Sequence, residues 1–547
     1  MYLHDGSESY TMSLMPNFPI WMQTQLPLAV FKTLDWCIVV AYLAGMVLIG
    51  HLMGKKKSDD VGYFLGGRSS PTWAVVLSII ATSLSAATFL GAPEEAFKGD
   101  LTYLILNVGN LLGVTLVAVI FIPKFYAAGT VTIYGFLQQR FGEPARIATS
   151  IVFLLGRLIA SGARLFMAAA PVCMLLFHSD NPSNLPSKTE LIWAIVLIGA
   201  IGMAYTVSGG IRAVIWTDVA QIIIVAGAAM LCIGILLHRI PSSTSSIYHA
   251  LSQPGTGIGN GSKLHWYDGS FDLTKNYTIW VAIFSTSFMM AGAYGCDHDL
   301  AQRMLTAKSS LRGSSSALLA QVLGMLVSGM FMLIGLLLYV YHRRPDLMNG
   351  NVVPFPDLPG AGKQVYAHFL MTLPSGFSGI AMAGLAAVAQ GSLDSAINAM
   401  AGSAVADVYW PIQRARGKTI PETSIAPRLA VLLMGLLLIG FAILCVQIYD
   451  ENSNTLLSFA VSILSFAYTG MLGVFLTALL TKRGNNTSVI AALIAGVVIT
   501  FLMQDKIMQY WSTLLFHREF KISNMWAMTI GTPISFLICV MGKKKTV

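Results

Sequence analysis

Trp73-Ala-Val-Val-Leu-Ser-Ile-Ile-Ala81-Thr-Ser-Leu84-Ser-Ala-Ala-Thr88-Phe-Leu-Gly91-Ala-Pro93 is an apolar stretch of membrane length whose centre is polar. A bilayer core needs roughly 20 apolar residues in a helix. Here Thr82, Ser83, Ser85 and Thr88 crowd the middle. Lipid offers them no hydrogen-bond partner, so they need another reason to be there. Small and hydroxyl residues permit close helix packing. They also satisfy backbone groups freed by a break in a helix, the device by which many secondary transporters build midplane ion and substrate sites. Taken alone, the stretch is compatible with both.

The rest of the chain has the same character. Of 547 residues, 55% are hydrophobic and 11% charged. Mean hydropathy is +0.68. A soluble domain carries roughly twice that charged fraction. A cytosolic enzyme, a nucleic-acid binder and a disordered scaffold are therefore excluded as readings. The net charge of +9 sits in short loops between apolar runs. The six cysteines form no spaced framework, so neither a disulfide scaffold nor a zinc module is indicated.

Windowed hydropathy predicts an all-α integral membrane protein of about 13 transmembrane helices. They lie near 35–54, 73–92, 101–122, 147–177, 191–206, 213–238, 277–294, 315–340, 377–400, 429–448, 455–480, 487–503 and 525–541. Residues 1–34 lack the basic start and apolar core of a signal peptide and read as an extracytoplasmic tail. With the N-terminus outside, inner segments hold 20 of the 34 Lys and Arg. Outer segments, though longer, hold 12. That bias puts the C-terminus in the cytoplasm, with 542–547 as a basic anchor. The longest loop, 239–276, lies outside and carries two glycosylation sequons, at Asn260 and Asn276, which matter only in a secretory-pathway host.

Further polar groups interrupt the spans. Asp218 lies several residues into an apolar helix. An intramembrane carboxylate is costly and faces a cavity, a cation, a proton path or an arginine. In the ninth span Ser392 and Ser395 are three apart, on one helical face, with Asp394 between them. Such hard oxygens suit a small cation, or act as polar glue between helices. Arg157 and Arg164 share a face of the fourth span. One could clamp a carboxylate bidentately. Arg157 could equally pair with Asp218 or Asp394, and either arginine could reach the interface. Asp297-His-Asp299-Leu-Ala-Gln302-Arg303 reads as a solvated helix start with an Asp cap. The histidines show no metal spacing, and no Walker loop is present, so an ion gradient is the expected energy source.

Orientation counting adds a symmetry. The second span starts inside and the seventh starts outside. Residues 73–238 and 277–480 then form two five-helix units of opposite topology, the inverted repeat of many transporters. The span 35–54 and the pair within 487–541 are accessory.

Ser208-Gly-Gly-Ile-Arg-Ala-Val-Ile-Trp-Thr-Asp218-Val-Ala-Gln221 resembles the signature of the sodium/solute symporter family. Tyr63-Phe-Leu-Gly-Gly67, the 81–93 run, Ser392-Leu-Asp-Ser-Ala-Ile-Asn398 and the Asp299…Gln302-Arg303 loop agree with it. The likeness covers roughly residues 35–500. It implies a leucine-transporter-like (LeuT-type) 5+5 fold and sodium-coupled uptake by alternating access, with Na+ as coupling ion, in a plasma or inner membrane. It implies a first sodium site from the carbonyls of Ala81, Leu84 and Val388 and the hydroxyl of Ser392. Gly391 departs from the pattern, since many relatives have a serine there; a water or Thr82 could substitute. Members with two sodiums place the second by the sixth-span aspartate, which matches Asp218, with Ser395 opposite. Asp394 stands where sialic acid transporters have a serine. Two carboxylates this near either hold a second sodium or share a proton.

The same resemblance points to a substrate site. Sialic acid transporters carry a hydroxyl set that matches Ser83, Ser85 and Thr88. An aromatic and an amide on their next span match Tyr103 and Asn107. Their arginine falls within a turn of Arg157 and Arg164. Hydroxyls at a half-helix end suit a carboxylate. The expected cargo is a small organic anion such as a sialate or monocarboxylate, with a sugar or polyol as the alternative. A sensor or channel on the same fold is the competing class. Against it, the chain is expected to carry no output module, and only the midplane is polar. No enzymatic activity and no nucleic-acid partner are expected, and a monomer should suffice.

Overall fold

The computed structural model describes residues 32–54, 59–84, 86–177, 187–258, 261–353, 365–420, 423–448 and 456–543. Ser85, both ends of the chain and Asn260 fall outside these. Among the described residues the regular elements are helices, save one isolated bridge between Ser70 and Ala307. Among the described residues eight helices are long and apolar enough to cross a bilayer. Two further pairs qualify when joined across a sharp bend.

The first bent pair is the stretch with the polar centre. Thr72–Ser83 and Thr88–Lys98 meet at 63°. Leu84 leaves the helix with φ −76° and ψ 123°, while its N–H still reaches the Ile80 carbonyl at 2.9 Å. In the second half Pro93 sits inside the helix, where it has no N–H to give. Ser310–Arg343 crosses there so closely that a Cβ on Gly335 would lie 2.2 Å from the Pro93 oxygen. Only glycine permits that approach.

The predicted spans 191–206 and 213–238 are one helical run, Lys188–Arg239, of 52 residues. At 1.5 Å per residue a straight run would reach about 78 Å, more than twice a bilayer core. It turns instead at Gly210, whose φ of 56° and ψ of −149° suit glycine alone. Tyr63 presses on this kink, donating to the carbonyls of Thr206 (3.0 Å) and Val207 (3.1 Å). Arg212 donates to the Gly66 carbonyl at 3.1 Å. The two motifs that carry the family resemblance thus hold each other in place.

Phe377–Ser403 is the central helix, with nearly every side chain buried. It runs on through a wide turn to Ala415, beyond the predicted 377–400. The Asp35 carboxylate, at the start of Thr33–Gly54, accepts from the N–H groups of Gly376 (2.7 Å) and Gly379 (2.8 Å) and from Ser375 and Ser378. A carboxylate on a helix N-terminus is favourable, so the accessory helix is pinned to the core. The predicted outer loop 239–276 contains a helix, Thr244–Ser252. After Asn486–Leu502 the chain bends by 83° into another, Asp505–Phe516. Leu112, Val119, Leu436 and Ile494 point outward, while Asp218, Arg303 and Asp394 are inside. That is the inverse of a soluble fold and the arrangement a lipid solvent demands.

Candidate functional site

One cavity of roughly 790 Å³ brings together Ser83, Thr88, Tyr103, Asn107, Arg157 and Arg164. Asn110, Tyr294, Tyr468 and Glu95 line it as well. Its size suits a small organic solute. Ser83 donates to the Ile79 carbonyl at 2.8 Å and lies 3.5 Å from the Tyr294 hydroxyl. Asn107 donates to the Leu104 carbonyl at 3.2 Å. Asn110 keeps a buried Oδ1 with no partner. In another part of the lining Tyr103 meets Tyr277 edge to face at 5.5 Å, and Tyr277 donates to Glu95 at 3.2 Å.

The two arginines differ in their partners. Arg157 is bound to Asp297 at 2.9 Å and to Asp299, and not to Asp218 or Asp394. Tyr468 donates to the same Asp297 oxygen at 2.5 Å. Arg164 makes no hydrogen bond or ion pair among the described residues.

Behind the cavity the ion pairs continue. Asp299 also binds Arg303 at 2.8 Å, and Arg303 binds Asp218 at 3.0 Å. Ser78 donates to Asp218 at 2.5 Å and accepts from Arg303 at 2.9 Å. Arg303 also donates to Ser395. The segment 297–303 is therefore no solvated helix start. Asp297 does cap it, accepting from the Asp299 N–H at 2.9 Å, but Asp297, His298, Asp299, Gln302 and Arg303 are all buried. Buried charges persist only when paired and hydrogen-bonded. The signal was present in the sequence as an i,i+4 Asp299–Arg303 pair, yet its partners come from four other helices.

The residues proposed for cations lie where the broken helix touches the central one. Ala81 and Leu84 are at the break, and Val388 and Ser392 are on Phe377–Ser403. Ser392 donates to the Ala389 carbonyl at 3.2 Å. Asp218 uses Oδ2 for Ser78 and Arg303, and its Oδ1 is buried without a partner. Ser395 bonds to the Gly391 carbonyl and lies 3.2 Å from Thr82. Asp394 accepts from Tyr205 at 2.7 Å and from the Ser395 N–H at 2.6 Å. Tyr42 joins the group from the accessory helix, donating to Gln390 at 2.8 Å. Tyr42, Tyr205 and Tyr468 escaped the sequence reading because a buried tyrosine looks like ordinary core.

A family model described as the sodium:solute symporter family matches residues 63–496. The sodium/sialic acid symporter SiaT of Proteus mirabilis is 25% identical over 515 residues, covering 92% of this chain and 95% of that one. The sodium-coupled monocarboxylate transporter 1 of Mus musculus is 27% identical over 481 residues, covering 85% of this chain and 72% of that one. Among solved structures, a substrate-bound, outward-open Na+-coupled sialic acid symporter superposes with a TM-score of 0.74 at 22% identity. That match covers 93% of this chain and 98% of the other.

Proposed function

The chain belongs to the sodium:solute symporter family, a sodium-coupled membrane symporter of LeuT-type fold, and from that premise we propose that its cargo is a small organic anion. One observation carries this: Arg164 lines the cavity without a hydrogen bond or salt bridge among the described residues, feeling Asp297 only through space, while Arg157 is committed to Asp297 and Asp299. A free guanidinium in a low-dielectric cavity favours a carboxylate, held bidentately. The N-terminus of Ala86–Lys98 adds a favourable dipole beside Thr88. Ser83, Tyr103, Asn107 and Asn110 offer hydrogen bonds to hydroxyl or amide groups on the same solute. The named relatives carry sialic acid and monocarboxylates, both anions.

Sodium would bind at Ala81, Leu84, Val388 and Ser392, with a second cation at Asp218, beside Ser395 and Asp394. The long helix counted as two spans, the other seven, the two bent pairs and the shorter Val281–Gly295 and Ser465–Leu480 make thirteen spans. We take these as N-terminus out and C-terminus in, with 73–238 and 277–480 rocking as inverted repeats in a monomer that performs no enzymatic chemistry. The test is a thermal-shift screen of the purified protein against sialates, short monocarboxylates, amino acids and neutral sugars, each in sodium or choline. A ligand that binds only the folded state raises apparent stability. An anion should give a shift in sodium and little in choline. A neutral sugar acting better than any anion would overturn the proposal.

A further inference from the structure

Gly391 leaves a gap that oxygens fill. A Cβ placed on Gly391 would lie 2.9 Å from Gln221 Oε1, 3.5 Å from the Ala81 carbonyl and 3.7 Å from Asp218 Oδ1. Gln221 is 1% exposed and Asp218 0%. Both of these side-chain oxygens lack a hydrogen-bond partner. Buried acceptors crowded together with no donor are costly. A cation among them removes that cost, and a carboxylate, an amide and a peptide carbonyl form a hard oxygen set.

The orientation of the Gln221 amide follows from its neighbour. Tyr205 has one hydroxyl hydrogen and gives it to Asp394 at 2.7 Å. Toward Gln221, at 3.4 Å, the Tyr205 oxygen can only accept. The amide must therefore present its NH2 to Tyr205, which turns Oε1 toward Gly391. Asp394, through Tyr205, positions Gln221.

We infer that Gln221 Oε1 supplies the oxygen that a serine at position 391 would otherwise provide, completing a sodium site with Asp218 Oδ1 and the Ala81 carbonyl. The inference rests on the sodium-symport reading. It also explains the glycine: any larger residue at 391 would displace the Gln221 amide.

The experiment titrates sodium alone, with choline as the balancing ion, against the full-length purified protein by thermal shift. Gln221→Ala should raise the half-saturating sodium concentration by about tenfold or more. Gly391→Ser alone should bring no tightening, because its Cβ crowds the amide. In the Gln221→Ala background the same serine should recover most of the lost affinity, since its hydroxyl enters the vacated space. Gln221→Glu keeps an oxygen in place and should bind sodium at least as tightly as the parent, which guards against a variant that simply misfolds. The inference is overturned if Gln221→Ala stays within about twofold of the parent, if the double variant is no better than Gln221→Ala, or if folded Gln221→Glu loses its sodium response. A parent protein with no sodium response would sink the symport reading itself, a separate result.

Discussion

At the residue scale the two fourth-span arginines part company. Arg157 and Arg164 are seven apart on one helix face and look equivalent in the sequence. Among the described residues only Arg157 forms direct ion pairs, and Asp297 acts on Arg164 from farther off. Arg157→Gln should therefore act on folding. Breaking a buried pair while leaving its partner charged costs about 3–5 kcal/mol, so a large fall in apparent melting temperature and in yield is expected. Arg164→Gln breaks no direct ion pair among the described residues. It should leave the melting temperature near that of the parent and raise the KM for an anionic substrate by about tenfold or more. Uptake kinetics and a melt on the same two preparations decide the matter. Equal effects of the two substitutions on KM would mean that Arg164 is not the free clamp.

At the element scale, short polar devices hold helix ends to neighbouring elements. The clearest is Lys263, in the loop between Thr244–Ser252 and Val281–Gly295. Its ammonium donates to the carbonyls of Ala96 (3.0 Å), Phe97 (2.7 Å) and Gly99 (2.6 Å). It also sits 4.2 Å from the Tyr339 ring centroid. It thus caps the C-terminal end of Ala86–Lys98, the second half of the broken span, where a cation complements the helix dipole. Lys263→Met should cost about 2 kcal/mol or more, read as a lower melting temperature and faster amide exchange just beyond residue 98. Burial draws the Lys263 ammonium down to about 8, from an ordinary 10.5, despite the nearby Asp100 carboxylate. The unfolded chain then holds the proton more tightly, so the burial cost is full below pH 8 and fades as pH rises toward 10.5. The parent should show that rising contribution to stability in a melt series, and Lys263→Met should lack it. Identical pH slopes would contradict this placement of the charge.

At the scale of the whole molecule, one continuous ion-pair chain links the cavity to the residues proposed for cations. Arg157 meets Asp299, Asp299 meets Arg303, and Arg303 meets Asp218. The members come from the fourth span, the helix His298–Leu305 and the kinked Lys188–Arg239. Coupling between two ligands is a reciprocal free energy, and a packed chain of paired charges is a physical route for it. Asp299→Asn breaks the chain without touching either proposed ligand site. It should shrink the sodium-induced gain in substrate affinity by about 0.5–2 kcal/mol. Substrate titrations at low and high sodium measure that gain in parent and variant. An unchanged gain would show that coupling runs elsewhere.

Much of this was legible in the residues alone. Membrane spans follow from the roughly 20-residue apolar requirement, and the family likeness from Ser208–Gln221. The polar centre at 82–88 showed that the stretch has a task besides spanning, since lipid tolerates such residues only for a reason, but it left close packing and a broken helix both open. What the residues could not declare was pairing. Arg157 and Arg164, or Asp218 and Asp394, are alike as letters. Their roles depend on which donors and acceptors other helices bring within about 3 Å, and those partners lie as far as 189 positions away, as Tyr205 does from Asp394. Span number and polarity are local properties of a chain in lipid. Charge partnership is a property of packing, and only the tertiary structure decides it.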